Sequence, residues 1–265
     1  MSAAFVSEAG VPVYDEIADY VSGKLGEEVE FVSGFGYATI NGMLESGAVD
    51  VGFVCGLPYV LLHDRDPPPV HLLAAPVMKA ARYQGKPKYY SDLIVGRDSE
   101  IQTLHDLRGR TYAFNEELSN SGYNMPRWRL LELGLRDGFF GKVVRSGSHE
   151  ESISMVADGR ADGSFVDSLV LEYDRAHGLG GADRVRVVES VGPAGIPPVV
   201  VSDKVPPDLR ERLQGVLLRM HEDPRGQGIL NRALVARFVE VGDDNYDDIR
   251  TMMRRAEDTG FRTIH

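Results

Sequence analysis

Small polar residues cluster where one predicted helix begins. Ser119, Asn120 and Ser121 follow a predicted strand at residues 111–115 and open a predicted helix at residues 122–133. Their side chains and the free backbone N–H groups of a helix start can donate to one point, and the helix dipole favours negative charge there. Ser and Asn are also the residues that helices prefer as plain N-caps. The pattern therefore indicates either an oxyanion site or an ordinary helix cap.

An internal sequence repeat indicates which elements carry such residues. Residues 29–55 resemble residues 143–167 at a constant offset, and each copy predicts a strand, a loop, a helix and a strand. The helix ends at a glycine in both copies, which suits a left-handed cap. We expect two similar lobes, each with a parallel sheet. The matched pairs are Met43 with Met155, Gly47 with Gly159, Asp50 with Asp162, Phe53 with Phe165, and Val54 with Val166.

The same offset pairs residues that could bind a ligand. Tyr37 falls opposite His149 at the start of the helix, and Cys55 falls opposite Asp167 at the carboxyl end of the strand. Ligands of open parallel sheets gather at strand carboxyl ends and helix N-termini. We therefore expect a polar rim on each lobe and a cleft between the rims. The alternatives are that His149 only caps a helix and that Asp167 only ends a strand.

Length and charge restrict the class of protein. The chain has 265 residues and a formal net charge of −11. The length favours two α/β lobes, and the charge argues against a general nucleic-acid surface. The first ten residues lack the basic start and long apolar core of an export signal. We expect either a cytoplasmic protein or one whose targeting segment lies outside this sequence.

Changes of composition at residues 79–88 and 192–198 predict two crossovers between the lobes, which would form a hinge. The first lobe is predicted as residues 1–84 with 196–265, and the second as residues 85–195. Three helices are predicted towards the C-terminus, at residues 209–222, 226–238 and 247–257.

Several sequence segments together resemble one family. They are Tyr89-Tyr90-Ser91 before an apolar strand, D-S-x-I-x-x-L-x-D-L-R-G at residues 98–109, S-N-S-G-Y at residues 119–123 with Pro126, G-S-H-E at residues 147–150, and G-x-A-D at residues 159–162. Residues 196–206 and 246–247 also match. In number and order these segments resemble the phosphonate, phosphite and phosphate substrate-binding proteins of ABC importers, the PhnD-like family.

The resemblance implies a type 2 periplasmic-binding-protein fold, with two lobes of mostly parallel sheet flanked by helices, and no cofactor or metal. It implies ligand contacts from eight residues, in which Asn120 replaces the Thr that is common in the family: Tyr37, Tyr89, Tyr90, Ser119, Asn120, Ser121, His149 and Asp167. Binders of aminoalkylphosphonates tend to carry an acid before a proline where this chain has Ile196 and Pro197. A ligand without an ammonium group is therefore expected.

By this resemblance the chain is a monomeric solute-binding protein that captures a small oxyanion and delivers it to an ABC permease. It would be periplasmic, or extracellular and membrane-associated, if an export signal has been removed, and otherwise cytoplasmic. The sequence has no H-x-x-x-H, G-x-S-x-G or C-x-x-C motif, which weakens hydrolase and zinc-enzyme interpretations. Two alternatives remain open. One is a cytoplasmic lyase of the chorismate-dehydratase type, with Asp167 or His149 as a base, and the other is an oxyanion sensor.

Overall fold

Short runs of β-branched and aromatic residues form the strands, and several of these runs are buried along their whole length. The segments VGF, GSFVD and VVVS are examples, at residues 51–53, 163–167 and 199–202. A strand with both faces buried needs helices on both sides of its sheet. The sequence alternates accordingly between such runs and amphipathic helices.

The computed structural model describes residues 1–3, 10–136 and 138–264. This part of the chain divides into two compact units. Unit 1 comprises Met1–Lys88 and Gly195–Asp247, and unit 2 comprises Tyr89–Ala194 and Asp248–His265. Among the described residues, no helix combines the length and the apolar character that crossing a bilayer requires.

Unit 1 contains a five-stranded sheet in the order β1-β2-β9-β3-β10. Its strands are β1 (Ser2–Ala3), β2 (Val51–Phe53), β3 (Val70–Met78), β9 (Val199–Ser202) and β10 (Val235–Val239). Its helices are α1 (Val11–Leu25), α2 (Tyr37–Ser46), α3 (Gly56–His63), α7 (Pro207–Leu218) and α8 (Pro224–Arg232).

Unit 2 contains a second five-stranded sheet in the order β6-β5-β7-β4-β8. Its strands are β4 (Lys88–Gly96), β5 (Thr111–Phe114), β6 (Lys142–Arg145), β7 (Gly163–Asp167) and β8 (Val185–Gly195). Its helices are α4 (Met125–Glu132), α5 (His149–Ala157), α6 (Ser168–His177) and α9 (Asp247–Asp258), and a π-helical turn (Asn120–Asn124) leads directly into α4.

Two α/β units are present as predicted, but their sheets are mixed rather than mostly parallel. Among the described strands of unit 1, β1 and β2 pair in parallel, while β9 is antiparallel to both β2 and β3. In unit 2, β5 is parallel to β6 and β7, but β4 is antiparallel to β7. A parallel neighbour needs a crossover connection beside the same sheet. Strands β4 and β9 are each the first strand after the chain arrives from the other unit. No crossover within the same sheet precedes them, so they can pair in the antiparallel direction.

The boundaries also differ from the predicted lobes. Residues 85–88 belong to unit 1, and residues 248–265 belong to unit 2. The chain therefore passes between the units three times instead of twice. The predicted hinge of two crossovers does not include the third passage, between Asp247 and Asp248. The C-terminal segment belongs to unit 2 because it is bonded there: Asn124 Nδ2 donates to the Ile249 carbonyl at 3.3 Å.

Individual elements depart from the predictions as well. The predicted helix at 226–238 ends at Arg232, and β10 follows after Leu234 adopts a left-handed φ of 59°. Here pairing with β3 overrides the helical periodicity. In the first copy of the repeat, the strand expected before α2 is represented by an isolated bridge between Ser2 and Val32.

Candidate functional site

Three segments of unit 2 bring polar side chains to the carboxyl edge of the parallel strands β5 and β7. The first runs from the end of β5 through the π-helical turn, the second is the start of α5, and the third joins β7 to α6. The side chains at these places are all buried: Asn115, Ser119, Asn120, Ser121, His149 and Asp167. Buried polar groups need partners, and these residues find them mainly in one another.

The π-helical turn is built around Ser119 and Gly122. Ser119 is an extended N-cap whose hydroxyl accepts from the Gly122 N–H at 3.0 Å, and its carbonyl accepts from the Asn124 N–H at 3.0 Å. A Cβ on Gly122 would lie 1.9 Å from Asn115 Oδ1. Any other residue would have to displace the amide of Asn115, which packs directly against the turn.

His149 is the centre of the cluster. Its Nε2 lies 3.4 Å from Ser119 Oγ, 3.4 Å from Ser121 Oγ and 3.2 Å from Asn115 Nδ2. Residues two apart on an α-helix point about 200° apart, so the two serines converge only because Ser119 precedes the turn in an extended conformation.

The contacts of His149 determine where its proton lies. The Asp167 N–H donates to Nδ1 at 3.2 Å, whereas the Asn115 amide nitrogen faces Nε2. A neutral imidazole has one acceptor nitrogen and satisfies only one of these donors. The backbone N–H cannot turn away, whereas a side-chain amide can. The proton therefore belongs on Nε2, where it is directed at the serine hydroxyls. Burial lowers the pKa of His149 to about 3, so the ring is neutral at physiological pH.

Asp167 supplies the acidic group of the cluster. Its Oδ1 caps α6 by accepting from the Leu169 N–H at 2.8 Å, and its Oδ2 accepts from Ser121 Oγ at 3.3 Å. Burial raises the pKa of this carboxyl to about 7. Near neutral pH the group therefore exchanges between a carboxylate, which only accepts hydrogen bonds, and a carboxylic acid, which also donates.

Tyr89 and Tyr90 lie on opposite faces of β4, as their positions predict. Tyr89 is fully buried, and its hydroxyl accepts from Asn120 Nδ2 at 2.9 Å. Tyr90 is half-buried, and its backbone N–H donates to Ser168 Oγ. Tyr37 belongs to unit 1, where it is the buried first residue of α2. Hydrogen bonds within unit 2 thus join four of the eight predicted residues, Ser119, Ser121, His149 and Asp167, in one group and pair Tyr89 with Asn120.

Three residues of this network were not predicted as site residues. Asn115 contacts His149, Ser91 Oγ donates to the Ser121 carbonyl at 2.5 Å, and Asn124 Nδ2 donates to Asn120 Oδ1 at 2.9 Å. The sequence did contain a signal for Asn115, because it is the last residue of the predicted strand at residues 111–115 and ligands gather at strand carboxyl ends. The bond of Ser91 to Ser121 and the bond of Asn124 to the Ile249 carbonyl depend on long-range packing and have no local signal, whereas Asn120 and Asn124 are only four residues apart in sequence. Among the described residues, no group of three or more His, Cys, Asp or Glu side chains could hold a metal ion.

Known structures share this architecture. The binding protein component of an ABC phosphonate transporter from Pseudomonas aeruginosa is 19% identical with a TM-score of 0.87, over 98% of this chain and 87% of that one. PhnD1 from Prochlorococcus marinus, in complex with methylphosphonate, is 18% identical with a TM-score of 0.85, over 97% of both chains. The periplasmic aliphatic sulphonate binding protein SsuA from Escherichia coli is 12% identical with a TM-score of 0.65, over 100% of this chain and 94% of that one. At these identities the likeness shows the fold, which is that of type 2 periplasmic binding proteins.

The sequence itself identifies the family. The profile described as "ABC transporter, phosphonate, periplasmic substrate-binding protein" matches residues 4–246. This match covers most of the chain, including both copies of the internal repeat and the buried polar cluster. The chain therefore belongs to the family of periplasmic substrate-binding proteins of phosphonate ABC transporters.

Proposed function

We propose that the buried cluster of unit 2 binds a small phosphorus oxyanion, which this chain delivers to an ABC permease. The observation that carries this proposal is the convergence of Ser119 Oγ and Ser121 Oγ, each 3.4 Å from the same nitrogen of His149. Hydroxyls and a ring N–H aimed at one place at the start of a helical turn are the donors that an oxyanion requires. The contacts now made among these groups are long and can be exchanged for contacts to ligand oxygens.

The chain is a solute-binding protein rather than an enzyme, because its family binds substrates for transport. The lyase and sensor alternatives are therefore not favoured. A periplasmic location follows the family, and we propose that the chain acts there as a monomer. Size-exclusion chromatography with light scattering would test the oligomeric state.

The composition of the cluster restricts the class of ligand. None of its described members is Lys or Arg, and Asp167 contributes an acid whose pKa burial has raised to about 7. A fully ionised ligand next to a carboxylate is repelled, so either the ligand or Asp167 carries a proton in the complex. Aminoethylphosphonate needs a partner for its ammonium group, whereas the buried residue before Pro197 is the apolar Ile196. We therefore propose methylphosphonate, phosphite or a similar compact monoanion as the ligand.

Tyr37 and Tyr90 remain predicted ligand residues on the strength of the repeat and the family resemblance. The roles of Ser119, Ser121, His149 and Asp167 are additionally supported by their contacts with one another. Single Tyr37→Phe and Tyr90→Phe variants would test the first pair. A loss of affinity without a loss of thermal stability would support a direct contact.

The proposed site is tested by a Ser119→Ala, Ser121→Ala double variant, titrated by calorimetry with methylphosphonate, phosphite, phosphate, sulfate, aminoethylphosphonate and chorismate. Hydrogen bonds to a charged group contribute about 1.5–3 kcal/mol each, so the loss of two should weaken binding at least about 100-fold. Ser164→Ala is the matched control, because Ser164 is buried in β7 and its hydroxyl bonds only its neighbour's carbonyl among the described contacts.

Folding is measured separately, because Ser119→Ala also removes the N-cap of the turn and should cost about 1 kcal/mol of stability. Undiminished affinity in a folded double variant would refute the site. Binding of chorismate alone, among these compounds, would refute the ligand class.

A further inference from the structure

The C-terminal segment, residues 248–264, is bonded directly to the π-helical turn. The Ile264 N–H donates to the Tyr123 hydroxyl at 3.1 Å, and Arg127 Nη1 donates to the Arg262 carbonyl at 3.0 Å. Ile264 and Phe261 are themselves buried. The end of the chain is thus packed against the same turn that presents the two serines.

A second link runs through side-chain amides. Asn124 Nδ2 donates to the Ile249 carbonyl at 3.3 Å and to Asn120 Oδ1 at 2.9 Å. Asn120 Nδ2 in turn donates to the Tyr89 hydroxyl at 2.9 Å. This chain of bonds crosses the turn from α9 to β4. It also uses one acceptor site of the Asn120 amide oxygen and one of the two N–H groups of its nitrogen.

From these contacts we infer that the C-terminal segment is a positioning element of the oxyanion site. Tyr123 and Asn124 are its positioning residues, and the side chain of Asn120 belongs to the same network. The inference deepens the proposed function and rests on Ser119 and Ser121 being the ligand donors. It assigns a role to a segment that the predicted domain boundaries had placed in the other lobe.

The physical reason is the geometry of the turn. π-helical turns are rare, and surrounding contacts must stabilise them. The convergence of Ser119 and Ser121 depends on this turn, because the Gly122 and Asn124 N–H groups of the turn hold Ser119 in its extended N-cap conformation. If the turn loses its supports, the binding-competent geometry is populated only part of the time, and the apparent dissociation constant rises by the inverse of that fraction.

The first test is a double-mutant cycle on one hydrogen bond. Tyr123→Phe removes the acceptor, and a chain ending at Arg262 removes the donor, Ile264. Tyr123→Phe alone should weaken methylphosphonate binding roughly three- to tenfold, the usual effect of one buried hydrogen bond. In the shortened chain the same substitution should have little further effect, because its partner is already gone. Tyr112→Phe is the matched control, since Tyr112 is buried in β5 and stacks on Phe140.

The second test does not depend on the ligand. Hydrogen exchange of the Gly122 and Asn124 amides reports the turn directly, because both donate to Ser119. We expect faster exchange at these amides in Tyr123→Phe and in Asn124→Ala, and no change in Tyr112→Phe. If Asn124→Ala fails to fold, Tyr123→Phe decides the question.

The two proposals can fail independently. Absence of methylphosphonate binding to the unaltered protein would contradict the proposed ligand, while the exchange measurement would still decide the role of the C-terminal segment. Unchanged amide protection in folded Tyr123→Phe would overturn the positioning role, whatever the ligand. So would additive effects of Tyr123→Phe and the truncation on affinity.

Discussion

At the scale of single residues, His149 and Asp167 are in contact, and burial moves their pKa values in opposite senses. The pKa of His149 falls to about 3 and that of Asp167 rises to about 7. Burial disfavours the charged form of each group. The cluster is therefore close to neutral below pH 7, although it contains two titratable side chains, and Asp167 alone is poised to change charge near neutrality.

The first prediction concerns the pH dependence of binding. As the pH rises through about 7, Asp167 loses its proton and repels an anionic ligand, so affinity for methylphosphonate should fall. In Asp167→Asn the affinity should fall less over this pH range, because the repulsion by the Asp167 carboxylate is absent. The ligand also titrates, so the comparison is between the two proteins with one ligand, by calorimetry from pH 5.5 to pH 8.5. Asp92 adds negative charge near Asp167, and His149 stays neutral over this range. Parallel pH profiles for the two proteins would contradict the prediction.

A second buried acid, outside the proposed site, gives a prediction for stability. Asp174 in α6 is 1% exposed, and burial together with the negative charge of Glu150 raises its pKa to about 7. The folded protein therefore holds a proton that the unfolded chain releases near pH 4. Stability should fall as the pH rises from about 4 to about 7.

Asp174→Asn should make this part of the pH profile less steep, leaving the fall that Asp167 causes, and should raise the melting temperature at pH 8. Thermal unfolding between pH 4 and pH 9 measures both effects. Asp183→Asn, at an exposed aspartate in the adjacent turn, is the control. An unchanged slope in Asp174→Asn would show that Asp174 is not the responsible group.

At the scale of elements, the two copies of the internal repeat share their structure even at positions where the residue types differ. Tyr37 and His149 both begin helices, and the left-handed glycines Gly47 and Gly159 both follow them. Cys55 and Asp167 are then the N-caps of α3 and α6. Of these two N-caps, Asp167 accepts a backbone N–H through its side chain. The same framework thus carries a thiol in unit 1 and a carboxyl group in unit 2.

The π-helical turn gives a prediction at this scale. Gly122→Ala places a methyl group where Asn115 Oδ1 now lies, and 3.1 Å from His149 Cε1. Overpacking of this kind costs roughly 1–3 kcal/mol of unfolding free energy. It should also displace His149 and weaken ligand binding. Denaturant unfolding measures the loss of stability, and calorimetry measures the loss of affinity. Gly134→Ala is less suitable as a control, because Gly134 has a left-handed φ of 66° that alanine rarely adopts.

A better control is Gly42→Ala, because Gly42 lies within α2 of unit 1 and a Cβ there would meet no atom within 4 Å. Alanine also has the higher helix propensity, so this variant should be at least as stable as the parent. Full affinity in Gly122→Ala would contradict the packing argument.

At the scale of the whole molecule, the protein carries a net charge of −11 and yet is proposed to bind an anion. The field of the molecule repels such a ligand at long range, while neutral donors and a helix start attract it at short range. Salt screens the long-range repulsion much more than the short-range attraction.

Association with methylphosphonate should therefore become faster as ionic strength rises, while dissociation changes little. Stopped-flow measurements between 20 mM and 500 mM salt would separate the two rates. A slower association at high salt would instead indicate that local positive charge steers the ligand, which the neutral donors of the cluster do not supply.

The sequence by itself determined the class of fold, the repeat and the main polar residues of the candidate site. These features have local causes. Gly47 and Gly159 end helices because glycine adopts the left-handed conformation, and Ser119 marks a helix start because its hydroxyl bonds a nearby N–H. The family resemblance is also a local property of the sequence, since it rests on short segments.

Only the tertiary structure decided the mixed sheets, the strand β10, the place of the C-terminal segment and the bonds that join Ser91 to Ser121, Asn115 to His149 and Asn124 to Ile249. These features depend on partners far away in sequence, such as β3 for β10 and the Tyr123 hydroxyl for Ile264. Local propensity is a weak influence that such pairings override. The protonation of Asp167 and His149 was likewise undetermined by the sequence, because burial shifts a pKa and burial is a property of the folded chain.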